Sequence, residues 1–413
     1  MNFEKKQFQP LLSIVVPTKD RFSYAKYCIK SLLEIPSSDL EIVIIDNGES
    51  DELEVWIENL LLDNRLVYQR IKGWMPVIDN FETGLNWASG TYICTIGDDD
   101  GVNPEIMQVV KWAEEENIDA LIPSLTADYS WPDLRLKYYG SVRAGLLRLN
   151  NISKRPFTPN LSEELKKCLK SGGQLFGFMP KVYYGIVRRE CIEEIINKAG
   201  RFFLGVSPDM CAAVALTCAV KNPMYIDYPV FLPGSSAKST AGSSGMKQHH
   251  GSLSEQSHLP TNCEETWPIE VPVFFAVQTV WAQSAIAALK LLKKPDYFKV
   301  FNIERLHALC IIFNPEYTNQ TIRNYFNYLR KSGRSSIIGT LLLLISVTVV
   351  VTRRLSGIAQ RFFLKTKEFD LQYSGLADIG LATKELSRQL KLRNISWDLY
   401  IKKTTIKSLI TYF

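Results

Sequence analysis

Apolar runs of strand length alternate with segments of helical periodicity through the first 125 residues, and this alternation is the strongest constraint on the fold. Runs such as 11–17 (LLSIVVP) and 41–46 (EIVIID) are typical of parallel strands that are buried on both faces. Strands are predicted at 11–17, 41–46, 66–70, 92–96 and 120–123, and helices at 24–33, 51–62, 77–88 and 104–116. The sequence therefore predicts an α/β fold with a mostly parallel sheet flanked by helices. Ligands of such sheets bind at the carboxyl ends of the strands.

Composition narrows the class of protein further. The chain has 413 residues, of which 46% are hydrophobic and 22% charged, so disordered, collagen-like and small disulfide-rich classes are excluded. Its eight cysteines include no CxxC pair, which favours thiols in a reducing compartment over a disulfide framework or a zinc site. The polar start MNFEKKQFQP does not resemble a secretory signal peptide. We therefore expect a cytoplasmic location.

Beyond residue 125 the pattern is less regular. It predicts strands at 180–188 and 225–232, a buried helix at 210–220 and a packed helix at 271–289. The Gly/Ser-rich stretch 234–257 is interpreted either as a lid or as a linker. Three regions are predicted: a catalytic domain at 1–232, a loop or lid at 233–270, and a helical, basic C-terminal region at 271–413.

The C-terminal region combines positive charge with an apolar segment. From Lys290 onwards there are 21 Lys and Arg against 8 Asp and Glu, a balance of +13, so residues 1–289 carry −8. Residues 335–352 contain no charge and have Arg or Lys on both sides. Three interpretations of this segment are open: a core helix, a helix embedded in a membrane surface, and a membrane-spanning helix. Because the tail lacks a compact aromatic and basic motif, an anionic membrane is a better expected partner than nucleic acid.

Candidate chemistry concentrates in 90–104 (GTYICTIGDDDGVNP), where a predicted strand ends in Asp98, Asp99 and Asp100. Three adjacent anions repel one another and contribute nothing to packing. A divalent cation, Mn²⁺ or Mg²⁺, would neutralise them, because both ions prefer oxygen ligands. The alternative is a solvated acidic turn, which the position directly after a buried strand disfavours.

Three motifs in order, PTKDR (17–21), IIDNGESD (44–51) and GLNWASGTYICTIGDDD (84–100), resemble the family 2 glycosyltransferases with the GT-A fold. The resemblance covers residues 10–125 well and extends more loosely to about 232. It implies inverting, divalent-metal-dependent transfer of a sugar from a nucleotide-sugar donor, most often a UDP-sugar. The expected acceptor is a saccharide or lipid-linked hydroxyl in cell-surface polysaccharide or glycolipid synthesis.

Carried over to this sequence, the resemblance places Pro17 and Thr18 beside the nucleotide base and Asp46 in a hydrogen bond to it. It implies that Asp98 contacts the ribose or the metal, and that Asp99 and Asp100 contact the metal and the diphosphate. The division of labour among the three carboxylates stays open.

Of two further polar residues, Lys72 or Asn80 is expected to face the diphosphate, and the alternative is an ordinary place in a polar loop-to-helix region. His249 and His250 in the Gly/Ser-rich stretch were considered as an additional metal ligand or diphosphate contact, although exposure is their more ordinary role.

The resemblance also requires a base 90–120 residues beyond the metal motif, and Asp209 is the best candidate. Ser207 is suited to the N-cap and Pro208 to the first helical position, so Asp209 is predicted in a first helical turn. There the helix dipole is expected to lower its pKa, although the dipole alone would also explain an Asp at this position. Glu193 and Glu194 are alternatives on a predicted solvated helix.

Two other functions stay open at this stage. A nucleotidyltransferase would have a similar sheet, but PTKDR lacks the Gly-rich first turn typical of that class, and the chain has no Walker-type loop. The other alternative is a non-catalytic, membrane-associated assembly subunit.

Overall fold

A computed structural model of the protein describes residues 9–135, 140–152, 154–239, 250–256, 258–363 and 371–402. The largest sheet has seven strands in the order β10-β6-β9-β4-β1-β2-β3. Its strands are β1 (Leu12–Thr18), β2 (Leu40–Asp46), β3 (Leu66–Arg70), β4 (Tyr92–Thr95), β6 (Ala120–Pro123), β9 (Ile186–Arg188) and β10 (Pro223–Ile226). All neighbouring strands pair in parallel except β9, which is antiparallel to both β4 and β6. The predicted mostly parallel sheet is confirmed.

Side chains of the central strands alternate between two hydrophobic cores, one on each face of the sheet. On β1, Val15 belongs to one core, while Ile14 and Val16 belong to the other. On β2, Val43 and Ile44 divide in the same way. Burial on both faces explains why these strands are continuous apolar runs in the sequence.

Helices cover both faces of the sheet and form the C-terminal region. They are α1 (Phe22–Leu33), α2 (Glu52–Glu58), α3 (Val77–Trp87), α4 (Ile106–Glu115), α5 (Leu161–Lys170), α6 (Arg189–Ala199), α7 (Pro208–Thr217), α8 (Val277–Leu291), α9 (Pro295–Phe298), α10 (Ile303–Phe313), α11 (Thr318–Lys331), α12 (Ser336–Phe363) and α13 (Ile379–Leu392). The predicted helical C-terminal region is thus confirmed.

Two smaller sheets lie beside the main one. Strands β5 (Gly101–Val102) and β11 (Phe231–Leu232) form an antiparallel pair directly after the carboxylate motif. The other has four strands in the order β12 (Gly234–Ser235), β7 (Ala127–Ser130), β8 (Leu146–Leu149) and β13 (Leu371–Tyr373). Strand β13 therefore returns the chain from the C-terminal region to the N-terminal body.

Several predicted elements differ in extent from the observed ones. The strand predicted at 180–188 is only Ile186–Arg188, because the backbone turns at Tyr184, whose φ is +55°. Gly185 belongs to this turn, since a Cβ there would lie 2.0 Å from the Lys181 carbonyl oxygen. The helix predicted at 51–62 ends at Glu58, and the strand predicted at 225–232 is two short strands.

All of the apolar segment 335–352 except its first residue lies within α12, and most of its side chains are exposed. Only 17% of its most apolar window is buried, and Ile337 and Leu344 are 85% and 58% exposed. The core interpretation of this segment is therefore wrong. By length and composition, Ser336–Gly357 is one helix that could cross a membrane.

Candidate active site at the strand ends

The carboxyl ends of β1, β2 and β4 lie side by side and bring five of the predicted residues to one edge of the sheet. Thr18 at the end of β1 is in register with Asp46 at the end of β2. Strand β4 pairs with β1 on its other side, and the chain leaves it into Asp98, Asp99 and Asp100. This is the edge at which ligands of parallel sheets bind.

Asp98 and Asp99 share one arginine. The Arg21 guanidinium forms an ion pair with each carboxylate: its Nε lies 2.9 Å from Asp98 Oδ1, and its Nη2 lies 2.8 Å from Asp99 Oδ2. Asp98 Oδ2 also accepts the Thr18 hydroxyl at 2.5 Å, and Asp99 Oδ2 accepts the Ser236 hydroxyl at 2.6 Å. The end of β1 thus supplies a hydroxyl, and the start of α1 supplies a positive charge, to the carboxylates that follow β4.

Asp100 is completely buried and accepts four hydrogen bonds. Backbone N–H groups of Gly97 and Gly234 donate to its two oxygens, each at 2.6 Å. The hydroxyls of Tyr184 and Tyr183 donate at 2.7 and 3.1 Å. Gly234 must be glycine, because a Cβ there would lie 1.8 Å from the Asp99 carbonyl oxygen. Asp100 therefore ties the carboxylate motif to two other segments of the chain.

Burial changes the charge of this cluster. Burial and, secondarily, repulsion from Asp99 raise the pKa of Asp100 to about 8. Burial raises the pKa of Asp98 to about 7, with Asp99 adding to the shift and Arg21 opposing it. Burial would lower the pKa of Arg21, but Asp98 and Asp99 outweigh it and raise that pKa. The cluster therefore does not carry three full negative charges at neutral pH, and Arg21 compensates part of the charge assigned to a metal by the sequence argument.

One carboxylate oxygen of the motif is still suited to bind a hard divalent cation. Asp99 Oδ2 is engaged, but no described residue donates a hydrogen bond to Asp99 Oδ1, so this oxygen is available without breaking a contact. Asp98 would become available if Arg21 moved away, whereas Asp100 is held by its four donors. The described residues include no preassembled group of three or more His, Cys, Asp or Glu side chains around a metal position. The metal stays a prediction.

Asp46 lies where the sequence predicts, but its oxygens already have partners. Oδ1 accepts the Gly48 N–H at 2.8 Å, and Oδ2 accepts the Tyr68 hydroxyl at 2.9 Å. The first contact caps the turn that follows β2. The contact between Asp46 and a nucleotide base stays a prediction.

Of the remaining donor-site residues, Asn80 is the most informative. It is buried on α3, and its Nδ2 donates to the Thr18 carbonyl at 3.4 Å. Its Oδ1 is buried without a hydrogen-bond partner among the described residues, which is rare unless a ligand or water satisfies the atom. Pro17 is buried within β1. Lys72 is exposed in the loop after β3, and the structure gives it no hydrogen bond or ion pair with any described residue.

Asp209 lies in the first turn of α7, as predicted. Ser207 occupies the N-cap position and Pro208 follows it, although the Ser207 side chain makes no capping hydrogen bond. Burial raises the pKa of Asp209 and Lys181 opposes this shift, so the expected lowering by the helix dipole is wrong in direction. Burial in turn lowers the pKa of Lys181.

Tyr183 links Asp209 to the carboxylate cluster. Its hydroxyl donates to Asp100, and burial raises its pKa, with Asp100, Asp209 and Asp99 contributing in the same direction. Electrostatic influence of this kind requires proximity, so the predicted base and the predicted metal motif lie in one neighbourhood although 109 positions separate Asp100 from Asp209.

Helix α8 fixes the start of α7. The Ser284 hydroxyl accepts the Ser207 N–H at 2.8 Å, and Gln283 Oε1 accepts the Val206 N–H at 3.1 Å. Ser284 is completely buried. These polar residues on an otherwise apolar helix thus hold the turn that carries Asp209.

Sequence reasoning missed several residues of this site. Arg21 was within the quoted PTKDR motif without a role, and the two tyrosines were assigned to a strand. Ser236 lies at the beginning of the Gly/Ser-rich stretch, and Arg21 Nη2 also donates to it at 3.0 Å. A search for polar residues directly after strands would have found Arg21. Residues 240–249, including His249, lie outside the described part, and His250 at its edge is exposed.

Comparison with known proteins agrees with this geometry. Residues 13–165 match the sequence model of glycosyl transferase family 2. These residues form a family 2 glycosyltransferase domain. The matched segment contains both the end of β1 and the three carboxylates.

Individual relatives match over a similar part of the chain. Glycosyltransferase GlyG of Streptococcus pneumoniae is 28% identical over 116 residues, 27% of this chain and 38% of that protein. The uncharacterized glycosyltransferase EpsJ of Bacillus subtilis is 33% identical over 113 residues, 27% and 32% of the two chains. A GalNAc(5)-diNAcBac-PP-undecaprenol beta-1,3-glucosyltransferase of Campylobacter jejuni is 33% identical over 93 residues, 22% and 30% of the two chains. The chain thus matches only about a third of the length of these curated relatives.

Solved structures give a more distant likeness. TarS of S. aureus aligns over 76% of this chain and 54% of its own, with 13% identity and a TM-score of 0.42. The mannosyltransferase PcManGT of Pyrobaculum calidifontis, in complex with GDP-Man and Mn²⁺, aligns over 93% and 89%, with 13% identity and a TM-score of 0.41.

Proposed function

We propose that this protein is a glycosyltransferase that moves a sugar from a nucleotide-sugar donor, a UDP-sugar in the first instance, to an acceptor hydroxyl. The observation that carries the proposal is the cluster at the strand ends. Thr18 at the end of β1 and Arg21 just before α1 contact Asp98 and Asp99 after β4, within a segment that matches family 2 glycosyltransferases. The buried Asn80 Oδ1 beside Thr18, which no described residue satisfies, supports a ligand at this edge.

The proposed reaction is a single displacement. Asp209 takes the proton from the acceptor hydroxyl, and the acceptor oxygen forms a bond to the anomeric carbon of the donor sugar. The bond from that carbon to the diphosphate oxygen breaks, and the nucleoside diphosphate leaves with the electron pair. Attack from the face opposite the leaving group inverts the anomeric configuration. A base whose pKa burial has raised is better matched to neutral pH than an ordinary Asp.

Charge on the diphosphate needs compensation, and this chain offers two sources. Arg21 lies at the carboxylates and can bind an anionic oxygen directly. Asp99, with Asp98 where Arg21 is displaced, would hold a divalent cation, which acts as a Lewis acid on phosphate oxygens. In this proposal Asp100 anchors the motif in the protein interior and does not bind the metal. The three metal ligands predicted from the sequence are thereby reduced to two, Asp98 and Asp99.

We further propose that the acceptor belongs to polysaccharide or glycolipid synthesis and that the enzyme works in the cytoplasm at a membrane surface. One relative acts on an undecaprenol-linked saccharide by its name, and the mycobacterial relatives are named for PGL/p-HBAD biosynthesis. Those names support a lipid-linked acceptor here. We also propose the division into a catalytic domain, a loop or lid and a C-terminal region that the sequence predicts. Ser236 belongs to the predicted loop or lid and contacts Asp99, which favours a lid over a linker.

A screen of nucleotide sugars with Mn²⁺ tests the proposal. Slow hydrolysis of one donor, with release of its nucleoside diphosphate, is the expected result. Release of pyrophosphate from a nucleoside triphosphate and a sugar phosphate would instead identify a nucleotidyltransferase. Absence of both activities, with no nucleotide binding by calorimetry, would favour the assembly subunit and overturn the proposal.

Substitution of Asp209 tests the base. We expect Asp209→Asn to leave donor affinity within about threefold and to lower turnover by about 10²-fold or more, the usual scale of general-base loss. Glu193→Gln is the matched control, because Glu193 is the alternative acidic residue and lies on the outer helix α6. Near-normal turnover in Asp209→Asn, or a comparable loss in Glu193→Gln, would remove Asp209 from the mechanism.

A further inference from the structure

We propose that α12 docks on an anionic membrane surface as a helix lying in the plane of the membrane, without crossing it. This inference concerns how the protein attaches to a membrane, and it stands on the C-terminal helix alone rather than on the transferase activity. The apolar face is defined here as the exposed, uncharged residues of 337–349 on α12.

One stripe of α12 is fixed to the protein at both ends of the apolar segment. The Gly339 carbonyl accepts the Tyr325 hydroxyl at 2.9 Å, and at the other end Arg354 Nη1 donates to the Ile312 carbonyl at 3.1 Å. Between these points Leu343 and Val350 are buried. The helix therefore lies along the body of the protein throughout its apolar length.

The rest of the circumference is apolar and exposed. The exposed large apolar side chains of this face are Ile337, Ile338, Leu341, Leu342, Leu344, Ile345 and Val349, and Leu355 is exposed further along the helix. Contiguous apolar surface of this kind marks a site that another surface covers.

The return of the chain excludes a single membrane crossing in this fold. Strand β13, after the helix, pairs with β8, and α13 is part of the core that contains β1 and β2. Both ends of α12 therefore belong to the same body, on the same side of a membrane. Only seven residues separate Phe363 from Leu371. The eight Cα–Cα steps from Phe363 to Leu371 reach about 28 Å when fully extended, which is still less than the roughly 30 Å of a hydrocarbon core.

The positive charge around the apolar face indicates that an anionic lipid surface covers it. Between Glu316 and Glu368 the sequence has nine Lys and Arg residues and no Asp or Glu. Arg330, Lys331 and Arg353 are exposed at the two ends of the apolar segment. Cations at both ends of an apolar helix face suit anionic headgroups above acyl chains. A second copy of this chain would bring its own cations against these, so self-association is disfavoured.

Cosedimentation of the full-length protein with preformed vesicles tests the docking. Binding to vesicles of phosphatidylcholine with phosphatidylglycerol, and weaker binding to phosphatidylcholine alone, is expected. High salt should weaken the binding without abolishing it, because the apolar contact is not screened. The triple variant Ile337→Glu, Leu341→Glu, Leu344→Glu should bind at least tenfold more weakly.

The control carries three glutamates at other exposed apolar positions, Val55→Glu, Leu62→Glu and Val142→Glu, and should bind within twofold of wild type. Equal losses in the two triple variants, or wild-type protein in the supernatant under every condition, would overturn the proposal. A dimer in light scattering without vesicle binding would assign the apolar face to a second copy and overturn it as well.

Orientation needs a separate measurement. Fluorophores on Ser332→Cys and Ser356→Cys, on either side of the apolar segment, should be quenched equally by an impermeant quencher outside the vesicles. Labelling of the parent protein corrects for native thiols. Protection of the Ser356→Cys label alone would show that the helix crosses, contrary to the proposal. Donor hydrolysis by the same preparations reports on the transferase activity independently.

Discussion

At the scale of single residues, three consecutive carboxylates need positive charge or hydrogen-bond donors, and here they receive both. Arg21 lies between Asp98 and Asp99, and Asp100 has four donors. A metal is therefore not the only way to stabilise the motif. The remaining question is which cation meets the diphosphate of the donor.

Measuring UDP binding to the Arg21→Gln variant shows whether Arg21 or a metal ion compensates the charge of the diphosphate. Without the guanidinium, Asp98 and Asp99 face each other uncompensated, so UDP affinity should fall without Mn²⁺ and recover more with Mn²⁺ than in the wild type. Asp99→Asn should lose the Mn²⁺-dependent part of the affinity. Calorimetry with and without Mn²⁺ measures both effects, and the exposed Arg135→Gln serves as a charge-matched control. Wild-type affinity that is the same with and without Mn²⁺ would contradict the metal prediction.

The pair formed by Asp209 and Lys181 predicts a pH dependence. Burial raises the pKa of Asp209, and Lys181 restrains the shift because a nearby cation favours the carboxylate. The base works only when deprotonated, so turnover should fall as the pH falls through this raised pKa. Lys181→Gln removes the restraint, and the acid limb of the kcat/KM profile should move to higher pH.

The control is Lys221→Gln, an exposed lysine, which should leave that limb in place. An unchanged acid limb in Lys181→Gln would show that another group controls it.

At the scale of elements, the sequence predicted the sheet better than the site. Strands β1, β2, β4 and β6 agree with their predicted positions within one residue, because burial on both faces produces a clear run of apolar residues. Thr18 and Asp46 were predicted from the family resemblance, and Asp98 from its position after a predicted strand. The three lie close together because strand ends meet at one edge of the sheet. Tyr183 and Tyr184 could not be predicted, because their role depends on a left-handed turn that looks like a strand in the sequence.

Contacts between distant elements were also invisible to sequence patterns. Ser284 on α8 appeared only as a polar residue of a packed helix, yet it accepts the Ser207 N–H at the start of α7. The raised pKa of Asp209 could not be predicted from the sequence either, because it results from burial in the folded protein, which outweighs the effect of the local helix dipole. Ser207 and Ser284 are 77 positions apart, and a contact between residues so distant in the sequence leaves no periodic pattern from which it could be predicted.

Ser284→Ala tests this coupling of α8 to α7. The variant leaves the buried Ser207 N–H without its acceptor, which costs about 1–3 kcal/mol of unfolding free energy. If the turn then shifts Asp209, kcat should fall while the KM for the donor stays unchanged. Ser31→Ala is the matched control, since Ser31 is a buried helical serine whose hydroxyl donates only to its own helix. Loss of stability with unchanged kcat would make Ser284 a packing residue only.

At the scale of the whole molecule, the helices of the C-terminal region connect the candidate base to the proposed membrane helix. Helix α7 packs on α8, α8 packs on α10, and α10 packs on α12. The acceptor side of the site is thereby held in a fixed relation to the apolar face. An acceptor presented from a membrane would approach a base whose supporting helices belong to the same packed unit as the docking helix.

This arrangement predicts that the apolar face matters for a lipid acceptor and not for the chemistry. The triple variant Ile337→Glu, Leu341→Glu, Leu344→Glu should transfer sugar to a short, water-soluble acceptor within twofold of the wild-type rate, because none of the three residues lies at the carboxylates or Asp209. With a long-chain lipid-linked acceptor in anionic vesicles, its rate should fall at least tenfold, since docking no longer concentrates enzyme and acceptor on one surface. Initial rates on the two acceptors, compared with the Val55→Glu, Leu62→Glu, Val142→Glu control, measure the difference. Equal losses on both acceptors would mean that the helix supports the fold of the active site. Equal activity on both would mean that the acceptor reaches Asp209 without the helix.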